Sequence, residues 1–556
     1  MTYLLVLITA TAISLAIVPL MVHLAPRLGM MDVPNPRKIH LNPIPRVGGI
    51  GIVAGSIITI LIWAPKNEFV LSYVLGSLIL LLFGIWDDRR DLGPNTKFLG
   101  QFIAALLAIL FGNLYVTSFP FISQPLPEFL GGAFTLFSMI GVINAVNTSD
   151  GLDGLAGGLS ILSFAVVVLL AYFVDVSNIV LIIAIAAIGG TFGFLRYNTY
   201  PATVFMGDGG SQFLGYNLAF MVIVLTQKVD VTLSPIIVLF ILGLPVVDIV
   251  YVMIHRARAH LPLFRATNDH LHHRLLRLNF IHKETVIIIY SLQSAFVLIG
   301  IYFRYGNEWL IVVLYLGLCS AIYTIVHLAE NKGWRAHQNQ NQMLDRIEKS
   351  IRVIGTRKLV IITPRRFLEF IIPIYLIAVS LWVNDVPKDF GIVAAILTVF
   401  VITIFVFIKL PNTTLRRILI YTTAAFAVYL SYKDRSSWGD LVFNLEMIFF
   451  SLVTLAIAVA IRFAPGRRKE EFRTTSMDYL LAFVIISGLL ISQTGLISAN
   501  ASVFLVQLVI ILYACEFLLV ERRERIDWLS LSLLPTLGII TLRGLDIIDL
   551  QLRLLI

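Results

Sequence analysis

Cysteine is almost missing from this 556-residue chain: Cys319 and Cys515 are the only two, and both fall inside apolar runs. Neither a disulfide framework nor a thiolate zinc site can be built from them, so any metal has to be held by oxygen or nitrogen. Charge is scarce as well. Asp, Glu, Lys and Arg make up 13% of the residues against 58% hydrophobic ones, which excludes an ordinary soluble globule. The first apolar run lacks a basic n-region and a small-residue cleavage site, and it leads straight into a basic loop, so it reads as a span and not as a removable leader. No alternating two-residue pattern is present, which leaves helices, not a barrel, to satisfy the backbone in lipid.

What is present is a series of apolar runs, such as YLLVLITATAISLAIVPLMV from Tyr3 and TVIIIYSLQSAFVLIGIYF from Thr285, each long enough to cross roughly 30 Å of hydrocarbon. Spans are expected near residues 3–25, 47–64, 70–86, 99–116, 129–146, 158–174, 179–195, 213–226, 233–254, 285–303 and 308–328. The expected fold is all-α and polytopic, with about 11 transmembrane helices in this part and about seven more after residue 366. With the N-terminus outside, the loops 26–46, 87–98, 147–157, 196–212, 255–284 and 329–366 share one side and carry 23 Lys and Arg. The other side has Lys66, Lys228 and Arg304. By the positive-inside rule the first side is cytoplasmic. Basic residues beside anionic headgroups account for the net charge of +9, so no nucleic-acid partner is implied.

Four polar clusters break the apolar pattern, all on that side. FGIWDDRRDLGPNTKFLGQ carries Asp87, Asp88, Asp91 and Lys97. NAVNTSDGLDGLAGG carries Asn144, Asn147, Asp150 and Asp153. YNTYPATVFMGDGGSQFLGY carries Asp208 and Ser211, and RATNDHLHHRLLRL carries Asp269, His270, His272 and His273. Taken singly, each has a structural explanation: ion pairs of the aspartates with Arg89, Arg90 or Lys97, amide bonds between helices, a glycine turn, a solvated histidine face. Taken together, carboxylates and amides suit a magnesium-phosphate site, the glycines let backbone N–H groups meet an anion, and the imidazoles with Arg274 supply donors for a diphosphate.

These motifs, NxxNxxDGxDGLAGG, FMGDxGS and DHLHHRLL in this order, resemble those of the polyprenyl-phosphate N-acetylhexosamine-1-phosphate transferases, the MraY/WecA/TagO-like glycosyltransferase family 4. DVPNPRKIHLNPIPRVGGIGI looks like its first cytoplasmic loop, and HLHH is closer to the UDP-GlcNAc-type branch. The resemblance covers about residues 1–328. It implies transfer of a sugar 1-phosphate, GlcNAc 1-phosphate by preference, from a UDP-sugar to a polyprenyl (undecaprenyl) phosphate at the cytoplasmic face of the plasma membrane, with release of UMP and the start of a lipid-linked envelope glycan. By the same resemblance Asp208 and Asn147 look like ligands of Mg2+, for which Mn2+ could substitute. Asp87, Asp88 and Lys97 would form the acceptor side, and Asp87 or Asp88 is a weaker candidate for a general base. Asn144, Asp150 and Asp153 would meet the donor, Phe205 would stack on uracil, and His270, His272, His273 and Arg274 would hold the diphosphate or sugar. Ala266-Thr267 departs from the proline-containing approach expected before the histidines, which bears on the sugar.

Three parts are expected: a transferase module over 1–328, a linker over 329–366 containing QNQNQ, and an additional membrane module over 367–556. The last repeats the basic bias in KLPNTTLRR, RFAPGRRKEEFR and ERRERID without a further motif, and is compatible with partner scaffolding, a longer homodimer interface or lipid-facing padding. Two other readings are weaker. An intramembrane prenyltransferase would use DDRRD as a DDxxD diphosphate site, but a second such cluster is missing. A transporter or flippase would place its charges at the bilayer midplane and not at one face.

Overall fold

The computed structural model describes residues 2–34, 42–122, 124–175, 179–261, 269–337, 358–403, 413–435, 440–463, 475–493, 495, 498–521 and 528–547. Ala266-Thr267, most of RFAPGRRKEEFR and ERRERID, and the middle of the 329–366 linker lie outside them.

The first thirteen helices are α1 Thr2–Leu28, α2 Gly48–Trp63, α3 Glu68–Arg90, α4 Pro94–Leu110, α5 Glu128–Thr148, α6 Leu155–Val174, α7 Ile179–Asn198, α8 Gly207–Val224, α9 Ile237–Leu242, α10 Leu244–Arg258, α11 Leu271–Arg277, α12 His282–Tyr302 and α13 Glu308–Asn331. Seven follow: α14 Lys358–Trp382, α15 Lys388–Thr403, α16 Thr413–Asp434, α17 Asp440–Phe463, α18 Ser476–Ser492, α19 Ala499–Glu521 and α20 Trp528–Gly544. The only sheet among the described residues pairs β1, Met31–Asp32, antiparallel with β2, Ile44–Pro45.

Among the described residues, ten helical segments are long and apolar enough to cross a membrane, and four apolar helices are shorter. The protein is thus an all-α polytopic membrane protein with about ten candidate spans among those residues, where about eighteen spans are expected of the whole chain. Counting apolar runs ignores how far each helix reaches: the 16 residues of α2 rise only about 24 Å. The run 233–254 is not one helix either. It breaks at Gly243, which turns the chain with a φ of 50° between α9 and α10.

Two compact units divide the chain: Met1–Gln338 with Thr475–Ser487, and Asn339–Thr474 with Gly488–Ile556. In the first, α8 is the central rod. Every residue from Gly209 to Val224 is buried, and the helix packs on α2, α3, α5 and α6. It begins six residues earlier than the expected span, because GDGGS forms its first turn and not a loop. Glycine makes that entry possible: a Cβ on Gly84 of α3 would stand 2.2 Å from the Cα of Gly209, so α3 and α8 cross backbone to backbone.

Local sequence sets where the polar ends fall. α3 starts on an Asn67 cap whose side chain accepts from the Val70 amide, and it stops at Asp91, a residue type tolerant of the left-handed conformation it adopts here. Gly93-Pro94 then opens α4, since proline suits the first turn of a helix. Lys97 is thereby returned to the end of α3.

In the second unit, α14 packs on α17 and α20, α15 crosses α20 at Gly391 and Gly544, and α16 packs on α19. Arg435 and Glu446 form a buried ion pair in it at 3.0 Å, and Arg417 pairs with the half-buried Glu516 at 3.0 Å.

Candidate active site

Three of the four clusters meet at the first turn of α8. Lys97 Nζ lies 2.7 Å from Asp208 Oδ2 and 2.8 Å from Asp87 Oδ2, so one ammonium from α4 bridges carboxylates of α3 and α8. The other oxygen of Asp87 accepts from the Leu92 amide at 2.6 Å, which ties the end of α3 back on itself. Asp88 Oδ1 accepts from the Asp208 backbone N–H at 3.1 Å. Neighbouring aspartates on one helix end thus do different work: Asp87 binds the lysine, Asp88 caps α8. Asp91 is 94% exposed and among the described residues its side chain approaches Arg46, at 3.8 Å, while Asp87 and Asp88 turn to different partners, so the acidic triplet is not drawn together into one cluster.

Asn147 is drawn to the same turn. Ser211 Oγ donates to its Oδ1 at 2.6 Å, and Ser211 sits one turn beyond Asp208. Asn144 instead pairs with Gln101, its Nδ2 donating to Oε1 at 2.8 Å. Gln101 Nε2 reaches Gln212 Oε1 at 3.2 Å, and Gln212 Nε2 reaches Asp208 Oδ2 at 3.4 Å. A chain of amides therefore links α5, α4 and α8 behind the Lys97 bridge.

The DGLDG segment leaves α5 and turns into α6. Asp153 Oδ2 accepts from the Ala202 amide at 2.9 Å, and Asn198 accepts from the Gly154 amide while donating to the Val204 carbonyl, both at 2.9 Å. These bonds fasten the segment to the chain that leads into α8. Phe205 lies on that chain, its amide on Pro45 O at 2.8 Å and its carbonyl accepting from Gly48 N at 3.0 Å. Arg46 between them pairs with Asp32. Burial, and then the charges of Asp208 and Asp153, push the Asp150 carboxyl up to about 7.

The histidines arrive on α11. His272 is buried against Gly151, where a Cβ would stand 2.2 Å from its Nε2, and that nitrogen has no partner among the described residues. Burial, followed by the neighbouring His273, lowers its pKa to about 3, so the ring is neutral. Burial also lowers His273. His270 Nδ1 lies 2.7 Å from Asp248 Oδ2. Arg274 is turned elsewhere: its Nε and Nη2 donate to Glu330 and its Nη1 to the Tyr251 hydroxyl at 2.8 Å. It locks α11 to α13, a bond pattern that leaves little of the guanidinium for a diphosphate.

Asp208, Asn147 and Ser211 present hard oxygen donors, which fits Mg2+. Among the described residues no three His, Cys, Asp or Glu side chains form a metal cage. A set of one carboxylate and one amide is of the kind that leaves further positions to water and substrate phosphates.

Sequence reasoning did not single out Arg46, Gln101, Asn198, Gln212 or Asp248. For two of them a signal existed. Gln101 follows Lys97, and Gln212 follows Asp208, by four residues on one helix face.

A family model described as Glycosyl transferase family 4 matches residues 70–226, a stretch that runs from α3 through α8. The undecaprenyl-phosphate alpha-N-acetylglucosaminyl 1-phosphate transferase of Escherichia coli O157:H7 is 32% identical over 302 residues, covering 52% of this chain and 82% of that protein. Its namesake from Haemophilus influenzae is 32% identical over 327 residues, covering 56% and 90%. A probable undecaprenyl-phosphate N-acetylglucosaminyl 1-phosphate transferase of Bacillus subtilis is 29% identical over 299 residues, covering 53% and 83%. With most of each relative aligned, and with the matched stretch holding the Lys97 bridge, the chain belongs to glycosyl transferase family 4.

Proposed function

We propose that the protein transfers GlcNAc 1-phosphate from UDP-GlcNAc to undecaprenyl phosphate. A phosphate oxygen of the lipid attacks the sugar-bearing phosphorus, the bond from that phosphorus to the bridging oxygen of UMP breaks, and UMP leaves. The observation that carries this reading is the Lys97 ammonium held between Asp87 and Asp208. An ammonium has three donors and two of them are used here, which leaves one to meet a phosphate at the helix end, and phosphoryl transfer asks of a protein mainly positioning and charge neutralisation.

Asp208 and Asn147 would hold Mg2+, or Mn2+ in its place, which when bound neutralises charge on the donor diphosphate. Lys97 receives the lipid phosphate and screens it from Asp87 and Asp88. Because that phosphate is already anionic near neutral pH, Asp87 and Asp88 need not act as strong bases. The DGLDG segment with Asp150 and Asp153 meets the nucleotide, Phe205 offers its ring to uracil, and His270, His272 and His273 face the sugar and diphosphate. Asn144 supports the site through Gln101, and we assign Arg274 to holding α11 in place.

The basic bias of its loops supports a site on the cytoplasmic face, where a water-borne donor and a membrane-borne acceptor can meet. The shorter helices α2 and α4 complete the spans of residues 1–328 by local thinning of the bilayer. Residues 329–366 link this part to an accessory membrane module over 367–556, a surface on which two copies could pair. The deciding experiment incubates membranes containing the protein with radiolabelled UDP-GlcNAc and undecaprenyl phosphate. UMP and a lipid-linked GlcNAc diphosphate are expected; neither product forming, with protein present and folded, refutes the reading.

A further inference from the structure

Asp248 of α10 belongs to none of the four clusters, yet three donors converge on it. Its Oδ2 meets His270 Nδ1 at 2.7 Å, while its Oδ1 accepts from the Leu271 amide and from the Tyr323 hydroxyl, each at 2.8 Å. Asp248, His270, Leu271 and Tyr323 are all more than nine-tenths buried. Leu271 opens α11, so one carboxylate fixes both the start of that helix and the ring of the histidine before it. In the middle of the same seven-residue helix, one turn on, Arg274 holds Glu330. Between the two anchors His272 is fitted against Gly151 with no room for a methyl group.

We infer that Asp248 is a positioning residue for the sugar-phosphate transfer, acting through His270; this rests on the function proposed above. A carboxylate can only accept, so His270 carries a hydrogen on Nδ1 and presents Nε2 on its opposite edge. Both the Leu271 N–H and the Tyr323 O–H need an acceptor at Oδ1. An amide at position 248 therefore has to keep its oxygen there and turn its NH2 toward His270. Nδ1 must then accept, and the ring hydrogen moves to Nε2. Asp248→Asn leaves shape and burial unchanged and inverts the tautomer, the kind of change that separates orientation from mere packing.

The test uses the full-length chain in four forms: parent, Asp248→Asn, His270→Gln and the double variant. Thermal unfolding, kcat and KM for UDP-GlcNAc are measured at saturating undecaprenyl phosphate. Asp248→Asn is expected to unfold with the parent, to lose roughly tenfold or more in kcat and to change KM by less than about threefold. In the His270→Gln background the same substitution is expected to cost less than about twofold, because its partner is already gone. Equal fold-losses in both backgrounds, or parent-like kcat in Asp248→Asn, overturn the inference. If the variant does not fold, 15N-histidine spectra of the parent decide: a His270 ring without hydrogen on Nδ1 refutes it. A folded parent that makes no lipid-linked product refutes the function instead, and leaves the spectral test of Asp248 standing.

Discussion

At the scale of single residues, the arrangement turns on how few cations serve many carboxylates. Lys97 lies within 2.8 Å of Asp87 and Asp208. Lys97→Met keeps the chain length and removes the charge, leaving two carboxylates to repel each other and any incoming phosphate. Turnover measured by UMP release is expected to fall roughly 100-fold, with the unfolding temperature monitored to separate chemistry from folding. His272 gives a different kind of prediction. Its folded pKa of about 3 lies below the value near 6.5 of an unfolded histidine, so between these limits the unfolded chain binds the extra proton. Stability from this group is full above about pH 6.5 and is lost as pH falls toward 3. Thermal unfolding at pH 7 and pH 5 should therefore show a smaller acid loss in His272→Gln than in the parent. The polar clusters themselves were legible because a carboxylate or amide at the end of an apolar run is conspicuous. Their pairings were not: nothing in DDRRD says that Asp87 takes the lysine while Asp88 caps α8, or that Arg274 turns away to Glu330. Those depend on which helix lies alongside, and only the i, i+4 partners Gln101 and Gln212 left a trace in the sequence.

At the scale of elements, the site is a consequence of how closely α3 and α8 approach. Gly84 and Gly209 let their backbones touch, and the crossing lies one turn from Asp87 and Asp88 and next to Asp208. Gly84→Ala places a methyl group against backbone atoms that cannot rotate away, so the two helices must separate. A loss of about 1–3 kcal/mol in stability is expected, with a larger fractional loss of transfer activity because the Lys97 bridge spans the same gap. Gly132→Ala on α5 is the control: its Cβ would meet only Ile109, at 3.8 Å, and activity should be unchanged. The helical character of these elements followed directly from apolar run length. Their ends did not, since α8 was expected to begin at residue 213 and begins at Gly207, and the expected span 233–254 is divided at Gly243. A glycine cluster in a sequence marks a turn or a close approach to a ligand, and inside a membrane bundle it also marks a place where helices touch.

At the scale of the whole molecule, the matches to known transferases cover 52–56% of the chain yet 82–90% of the proteins from Escherichia coli and Haemophilus influenzae. Most of the length of such a transferase therefore aligns with little more than half of this sequence. Every residue of the candidate site lies in the unit built from Met1–Gln338 with Thr475–Ser487, and the ion pairs of Arg435 and Arg417 lie in the other. The shift in composition near 329–366 was legible. The inclusion of Thr475–Ser487 in the first unit was not, because an apolar helix carries no label for the helices it will join. A chain ending near residue 345 tests what that inclusion means. It retains all the helices that carry Asp87, Lys97, Asn147, Asp208 and His272, and it loses one apolar segment of the first unit. Transfer within about tenfold of the full-length rate is expected, because losing one contact between helices in a membrane bundle costs on the order of 1 kcal/mol. A truncated protein that folds, as judged by thermal unfolding in detergent, and yet transfers nothing would make Thr475–Ser487 part of the working enzyme. A second truncation that keeps the chain through residue 492 would then be expected to recover the activity.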